Sequence, residues 1–147
     1  MKSQVLFLCT GNYYRSRFAE LLFNHLATEQ GLGWVADSRG VATELGIHNV
    51  GPISPYTVAR LQAMGVPLPA TMRFPQQVTE ADLQAATLTI ALDHTEHLPY
   101  MIERLPAWAD RIDYWEVADL HALTATEALG RIEQAVIDLV ARCNKGN

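Results

Sequence analysis

Cys9-Thr10-Gly11-Asn12-Tyr13-Tyr14-Arg15-Ser16 stands between a short apolar run, Val5 to Leu8, and an amphipathic helical pattern that begins with Arg17-Phe18-Ala19-Glu20. A strand that ends in a tight loop and then opens a helix turns successive backbone amides inward, and the positive end of the helix adds to their pull on an anion. The stretch therefore predicts a cradle for inorganic phosphate or a similar oxyanion, with the Cys9 thiol at its base. The helix terminus and Arg15 favour the thiolate, the nucleophilic form of cysteine. Arg15 carries a planar fork of donors that grips two phosphoryl oxygens at once, where a Lys offers a point charge. Gly11 permits a sharp path, and Asn12 tolerates left-handed backbone angles. Ser16 has two expected jobs, capping the helix and hydrogen-bonding the thiolate. Thr10, Gly11, Asn12, Tyr13, Tyr14, Arg15 and Ser16 together make up the expected phosphate-binding loop.

Outward from the loop, 147 residues suit one domain, residues 1–147, large enough to fold without disulfides or metals. The composition, 49% hydrophobic and 18% charged, is that of an ordinary globular protein. The first apolar run is too short for a signal peptide or a membrane span, so a cytoplasmic location is expected. The two cysteines, Cys9 and Cys143, form no disulfide framework, and a thiol needed as a thiolate belongs in a reducing compartment. Cys143 falls on the apolar face of the last helix with Leu129, Ile132, Val136, Leu139 and Val140 and reads as a small hydrophobe. A net charge of −5 argues against nucleic acid or an anionic membrane as partner.

Phe18, Leu21, Leu22 and Leu26 recur at helical spacing, and Gly31 or Gly33 closes that helix. Strands are expected at Trp34 to Ser38, Thr87 to Leu92 and Ile112 to Val117. Ser54-Pro55 reads as a cap with proline in the first turn, and Thr79-Glu80-Ala81-Asp82 as a capping box. A helical stretch interrupted by Pro99 follows Asp93, and Thr124-Ala125-Thr126-Glu127 caps the long final helix. Strands alternating with helices imply an α/β fold, a parallel sheet covered on both faces, with the site at the carboxyl ends of the strands. Cys9, Asp93 and Asp119 all follow expected strands.

At these residues the chain resembles the low-molecular-weight protein tyrosine phosphatase family, whose signature is Cys-x-Gly-Asn-x-Cys-Arg-Ser-Pro near the N-terminus. Cys9, Gly11, Asn12, Arg15, Ser16, Ala19 and Glu20 match, while Tyr14 replaces the second Cys and Arg17 the Pro. The resemblance spans the whole chain and implies a four-stranded parallel sheet. It implies further that Cys9 is the nucleophile, Arg15 the phosphate clamp, Asn12 a loop-shaping residue and Ser16 the thiolate's hydrogen-bond partner. With Tyr14 in place of a thiol, a sulfenic acid at Cys9 has no adjacent resolving partner.

Expelling a tyrosine phenolate calls for a positioned acid. The family takes it from an Asp-Pro pair before the last helix, where this chain reads Val117-Ala118-Asp119-Leu120-His121. Asp119 aligns without the proline, and Glu116, Asp113 and His121 are the fallback donors. The expected activity is hydrolysis of phosphate monoesters, protein phosphotyrosine above all, through a cysteinyl phosphate. Asp119 serves as acid and then base, and no metal or other cofactor is called for. Tyr13 is expected at the pocket mouth, packing on an aryl substrate or crowding the entrance. His48 occupies a place where the family often has an aromatic lining the cleft. His94 and His97 read as exposed residues at a helix start, and Arg17 as a charge that attracts an acidic substrate or, in the simpler reading, decorates the first helical turn in solvent. The rival readings are a thiol arsenate reductase, a phosphocysteine carrier of the sugar phosphotransferase type, and a catalytically weak phosphate-binding module.

Overall fold

The computed structural model describes residues 2–118 and 124–145. β1 (Ser3–Cys9) leads through the loop into α1 (Arg15–Gln30), and β2 (Trp34–Gly40) follows. After one 3-10 turn, Thr43–Gly46, come α2 (Pro55–Ala63), α3 (Glu80–Ala85) and β3 (Leu88–Ala91). α4 (His94–Arg104), β4 (Asp113–Tyr114) and α5 (Ala125–Lys145) complete the order.

The four strands form one sheet in the order β2-β1-β3-β4, and every pairing is parallel. β1 is buried on both faces. Val5 and Phe7 point to the side covered by α1 and α5, where Phe18, Phe23, Ile132 and Val136 pack. Leu6 and Leu8 point to the side covered by α3 and α4, through Leu83 and Met101. That two-sided burial is why the strand is a continuous apolar run rather than an alternating one. Cys143 belongs to the first of these clusters, and burial pushes its thiol up from the ordinary value.

Local signals act as expected at most helix ends. Gly31 terminates α1 at φ 67°, a left-handed angle that a side chain resists. The Ser54 hydroxyl accepts from the Tyr56 amide, with Pro55 in the first turn. Thr79 and Asp82 close a reciprocal capping box, and Thr124 Oγ1 accepts from the Glu127 amide.

Three expectations need correction. The fourth strand is two residues, Asp113–Tyr114, rather than Ile112 to Val117. Its partner β3 ends at Ala91 because Asp93 turns the chain into α4, so the ladder has nothing further to pair with except an isolated antiparallel bridge between Asp93 and Glu116. β2 runs two residues past Ser38, keeping step with β1 until Cys9 faces Gly40. α4 continues through Pro99, because both Pro99 and Thr95, whose carbonyl loses its amide partner there, are exposed. Among the described residues no helix is long and apolar enough to cross a membrane.

Candidate active site

The strand order reverses direction between β1 and β3, the place where open α/β sheets bind ligands beyond their strand ends. Two segments meet there, the loop after β1 and the first turn of α4 after β3. Gly40 lets β2 close in from the other side, since a Cβ at that position would lie 2.8 Å from the Thr10 carbonyl oxygen.

Cys9 is 3% exposed, and its Sγ lies 2.9 Å from Ser16 Oγ. The direction of that bond follows from residues behind it. Arg73 Nη1, which can only donate, is 2.9 Å from Asn12 Oδ1, and the Gln76 amide donates to the same oxygen at 3.1 Å. The amide of Asn12 is thereby oriented with Nδ2 toward Ser16 Oγ and Ser38 Oγ, 2.9 Å from each. With Asn12 donating to its oxygen, the Ser16 hydroxyl hydrogen is left to point at the sulfur, where it stabilises an anion. Asn12 holds φ 53°, a left-handed angle that asparagine accepts better than other side chains. Gly11 has no positive φ, so the left-handed step in the loop falls on Asn12. Ser16 is no cap. Tyr14 occupies the N-cap position of α1, no described side chain caps the helix there, and the Ser16 hydroxyl is committed to Cys9 and Asn12.

Arg15 is equally buried. Its Nη1 donates to the Val117 carbonyl at 2.8 Å and its Nη2 to Glu96 Oε2 at 2.7 Å. The same Glu96 oxygen accepts from the Thr10 hydroxyl. His97 lies beneath the pair, fully buried rather than exposed at the helix start. Its Nδ1 accepts from the Asp93 amide at 3.0 Å, so the ring proton sits on Nε2, 3.2 Å from both Thr10 Oγ1 and Glu96 Oε2. Burial alone pushes the Glu96 carboxyl up. Hydrogen bonds from His97, Arg15 and Thr10, with the Arg15 charge, outweigh it and hold the carboxyl well below the usual carboxylate range.

A depressed carboxyl contributes stability that is complete above its unfolded value, near 4.3, and is lost as pH falls below it. The gap in unfolding free energy between wild type and Glu96→Gln is therefore expected to be widest at neutral pH and to narrow progressively from about pH 5 downward. Denaturant titrations at a series of pH values check it, and a gap that stays constant with pH contradicts it.

Arg17 is also buried, with Nη1 donating to the Arg73 carbonyl at 3.1 Å and Nε 3.6 Å from Glu20. Burial lowers its pKa from the ordinary value despite Glu20. The expectation of a solvated charge fails because the segment carrying Met72 and Arg73 covers the first turn of α1. Glu20 accepts from the Ser38 hydroxyl and pairs with Arg73, while burial keeps its carboxyl raised.

The loop opens into a cleft of about 840 Å³. Cys9 and Arg15, nearly buried, lie at its base, and Tyr13, Tyr14, Tyr56 and Tyr100 line it. Tyr13 sits at the wall with its hydroxyl donating to the Val50 carbonyl at 2.6 Å. Leu45 and Asn49 line the cleft where His48 was expected, and His48 itself is exposed outside the lining set. Asp113 lines a separate cavity with Trp108 and Arg111, and Glu116 is exposed beside Asp93, so neither fallback donor reaches the cleft. Asp119 and His121 lie outside the described residues. Among the described residues no three His, Cys, Asp or Glu side chains gather as metal ligands.

Glu96, His97 and Arg73 are the residues that sequence reasoning missed. Asp93 followed by Glu96 is a helix-start signal that, placed after a strand, brings Glu96 to the carboxyl edge of the sheet. His97 and Met101 share the buried face of α4 at a spacing of four. Arg73 carries no periodic signal.

The family model for low molecular weight phosphotyrosine protein phosphatase matches residues 4–146. A protein-arginine-phosphatase of Bacillus subtilis (strain 168) is 28% identical over 108 residues, 74% of this chain and 67% of that protein. The crystal structure of YfkJ from Bacillus subtilis superposes with TM-score 0.80 at 26% identity, covering 100% of this chain and 98% of that one. A low molecular weight protein tyrosine phosphatase from T. tengcongensis gives TM-score 0.78 at 24% identity over 96% and 99% of the two chains.

Proposed function

The chain belongs to the low molecular weight phosphotyrosine protein phosphatase family, and from that premise we propose that it hydrolyses protein phosphotyrosine through a phosphate ester of Cys9. The family's members are protein phosphatases, so the chain is a hydrolase of phosphorylated substrates. The observation that carries the assignment of roles is the Cys9 sulfur, 2.9 Å from an oriented Ser16 hydroxyl, beside a buried Arg15 at the base of an aromatic-lined cleft.

In this reading the Cys9 thiolate attacks phosphorus in line with the departing phenolate oxygen. Arg15 and the amides of Thr10 to Ser16 hold the three equatorial oxygens, stabilising charge as it spreads over them. Asp119 gives its proton to the leaving oxygen. The same residue, now ionised, takes a proton from the water that releases inorganic phosphate from sulfur. A thiolate nucleophile suits a reducing compartment, the cytoplasm in this proposal. Initial rates on phosphotyrosine, phosphoserine and phosphoarginine peptides test it, with phosphotyrosine expected to lead.

Phosphoarginine is the second reading, favoured by one observation. Glu96 lines the cleft as an ionised carboxylate with a quarter of its side chain exposed, and a phosphorylated guanidine brings its own cation to that charge. A phosphoarginine peptide turned over faster than its phosphotyrosine counterpart would establish it.

Two variants probe the machinery. Asp119→Asn is expected to lower kcat on a phosphotyrosine peptide on the order of 10²-fold and to remove the alkaline limb of the pH profile. Full activity would remove Asp119 from the scheme. Arg73→Met removes one of the two donors that orient the Asn12 amide, leaving the Gln76 amide alone to hold it, and so loosens the Ser16 hydroxyl. It is expected to lower kcat about tenfold with little change in KM, and Arg73→Lys to recover part of the loss. Equal losses in both variants, or a change confined to KM, would contradict the relay from Arg73 to Cys9.

A further inference from the structure

The rim of the cleft carries apolar side chains that the fold leaves uncovered. Leu45 is 60% exposed, Ile47 74%, Val50 86% and Tyr56 56%. Leu45 and Tyr56 line the cleft directly. Val50 is fixed beside it by the bond from Tyr13 to its carbonyl, and Ile47 lies inside the turn closed by the Asn49 amide on the Gly46 carbonyl at 3.0 Å. Leu45 and Tyr56 therefore border the mouth, and Ile47 and Val50 stand exposed on the segment between them. Residues 45–53, Leu-Gly-Ile-His-Asn-Val-Gly-Pro-Ile, contain no Asp, Glu, Lys or Arg. A monomeric protein seldom gathers exposed apolar groups this way without a partner for them.

The occupant follows from where the rim lies. A phosphorylated side chain that reaches Cys9 brings its own polypeptide across this mouth, so residues flanking the phosphorylated one pass Leu45 and Tyr56 and the exposed segment that joins them. Charge points the same way. Among the described lining residues Arg15 is the one Lys or Arg, and it already shares its Nη2 with Glu96, while the protein carries a net charge of −5. Arg104, stacked over the lining residue Tyr100, is already paired with Glu44, so among the described residues acidic flanks find little unpaired positive charge, and apolar flanks find surface to bury.

We infer that residues 45–56 form a docking rim for a phosphoprotein segment with apolar residues flanking the phosphorylated side chain. The inference rests on the phosphatase reading of the cleft and adds the class of polypeptide it takes. Burial of flanking side chains on Ile47 and Val50 acts on peptides and leaves small aryl phosphates untouched.

The test compares p-nitrophenyl phosphate with two phosphotyrosine peptides that differ only in their flanks, Val and Leu in one, Asp and Glu in the other. Wild type and the doubly substituted Ile47→Ser, Val50→Ser protein are assayed, and both are weighed by sedimentation equilibrium. Wild type is expected to favour the apolar-flanked peptide about tenfold or more in kcat/KM. The double variant is expected to lose most of that preference while keeping aryl phosphate turnover within about twofold, because neither side chain belongs to the cleft lining. Equal kcat/KM for the two peptides, or a preference that survives the double substitution, overturns the inference with the phosphatase reading intact. A wild-type dimer that the substitutions dissociate, with peptide preference unchanged, overturns it by assigning the rim to a second copy of the chain. Absence of turnover on all three substrates overturns the phosphatase reading and this inference with it.

Discussion

Replacing Cys9 by Ser is expected to lower turnover of an aryl phosphate on the order of 10⁴-fold or more while leaving the fold and the oxyanion site in place. The hydrogen-bond partner described for Sγ is a donor. Ser16 Oγ points its hydrogen at the sulfur because Asn12 occupies its lone pair, and Arg15 adds positive charge. Such surroundings stabilise an anion, a form that a thiol reaches far more readily than a hydroxyl. A general base able to take a serine's proton is absent from the described shell of Sγ, since Glu96 is committed to Arg15, Thr10 and His97. Inorganic phosphate is expected to bind the variant with an affinity close to wild type, because the loop amides and Arg15 are unchanged. Residual turnover within about a hundredfold of wild type would remove Cys9 from the reaction.

Arg15→Lys is the second large effect, with kcat/KM on an aryl phosphate expected to fall roughly 10³-fold. The guanidinium plane is pinned from two directions, by the Val117 carbonyl at 2.8 Å and by Glu96 at 2.7 Å. A lysine ammonium has one centre of charge and cannot satisfy those partners and a phosphoryl group in a fixed plane. Removing the fork also leaves Glu96 as a half-buried carboxylate facing the cleft without its guanidinium partner, which repels the incoming dianion. The prediction separates two accounts of the loop. If the amides alone bind the oxyanion, lysine keeps the charge and the loss stays within about tenfold.

How much of this was readable from the sequence depends on whether the information is local. The loop is a contiguous segment, and the identities of Cys9, Asn12, Arg15 and Ser16 with strand before and helix after were sufficient to locate it. The sheet was legible for the same reason, because each buried strand is its own apolar run. Long-range partners were not. Glu96 and His97 lie more than eighty residues from Thr10 and meet it only because β3 pairs with β1 and α4 starts at its end. Arg73 reaches Asn12 from a segment with no regular structure of its own. Arg17 was misread because a cation in the first turn of a helix is normally solvated, and nothing in its neighbourhood shows that the Met72 and Arg73 segment folds over it. Ser16 was half legible. Its hydroxyl was correctly placed on Cys9, but the capping role fails because Ser16 lies inside α1, past the N-cap position at Tyr14, and its oxygen accepts from Asn12 instead. The fourth strand was overextended because its length depends on where β3 ends rather than on its own residues.

The proposed mechanism requires a covalent bond between Cys9 and phosphorus. Rapid quenching of the protein with a radiolabelled aryl phosphate, in the Asp119→Asn variant so that the intermediate persists, followed by peptide mapping, measures it directly. Label is expected to approach one phosphate per chain, on the peptide containing Cys9. Label on His97 or any other residue, or release of phosphate at the full rate with no covalent label at any time, would contradict it.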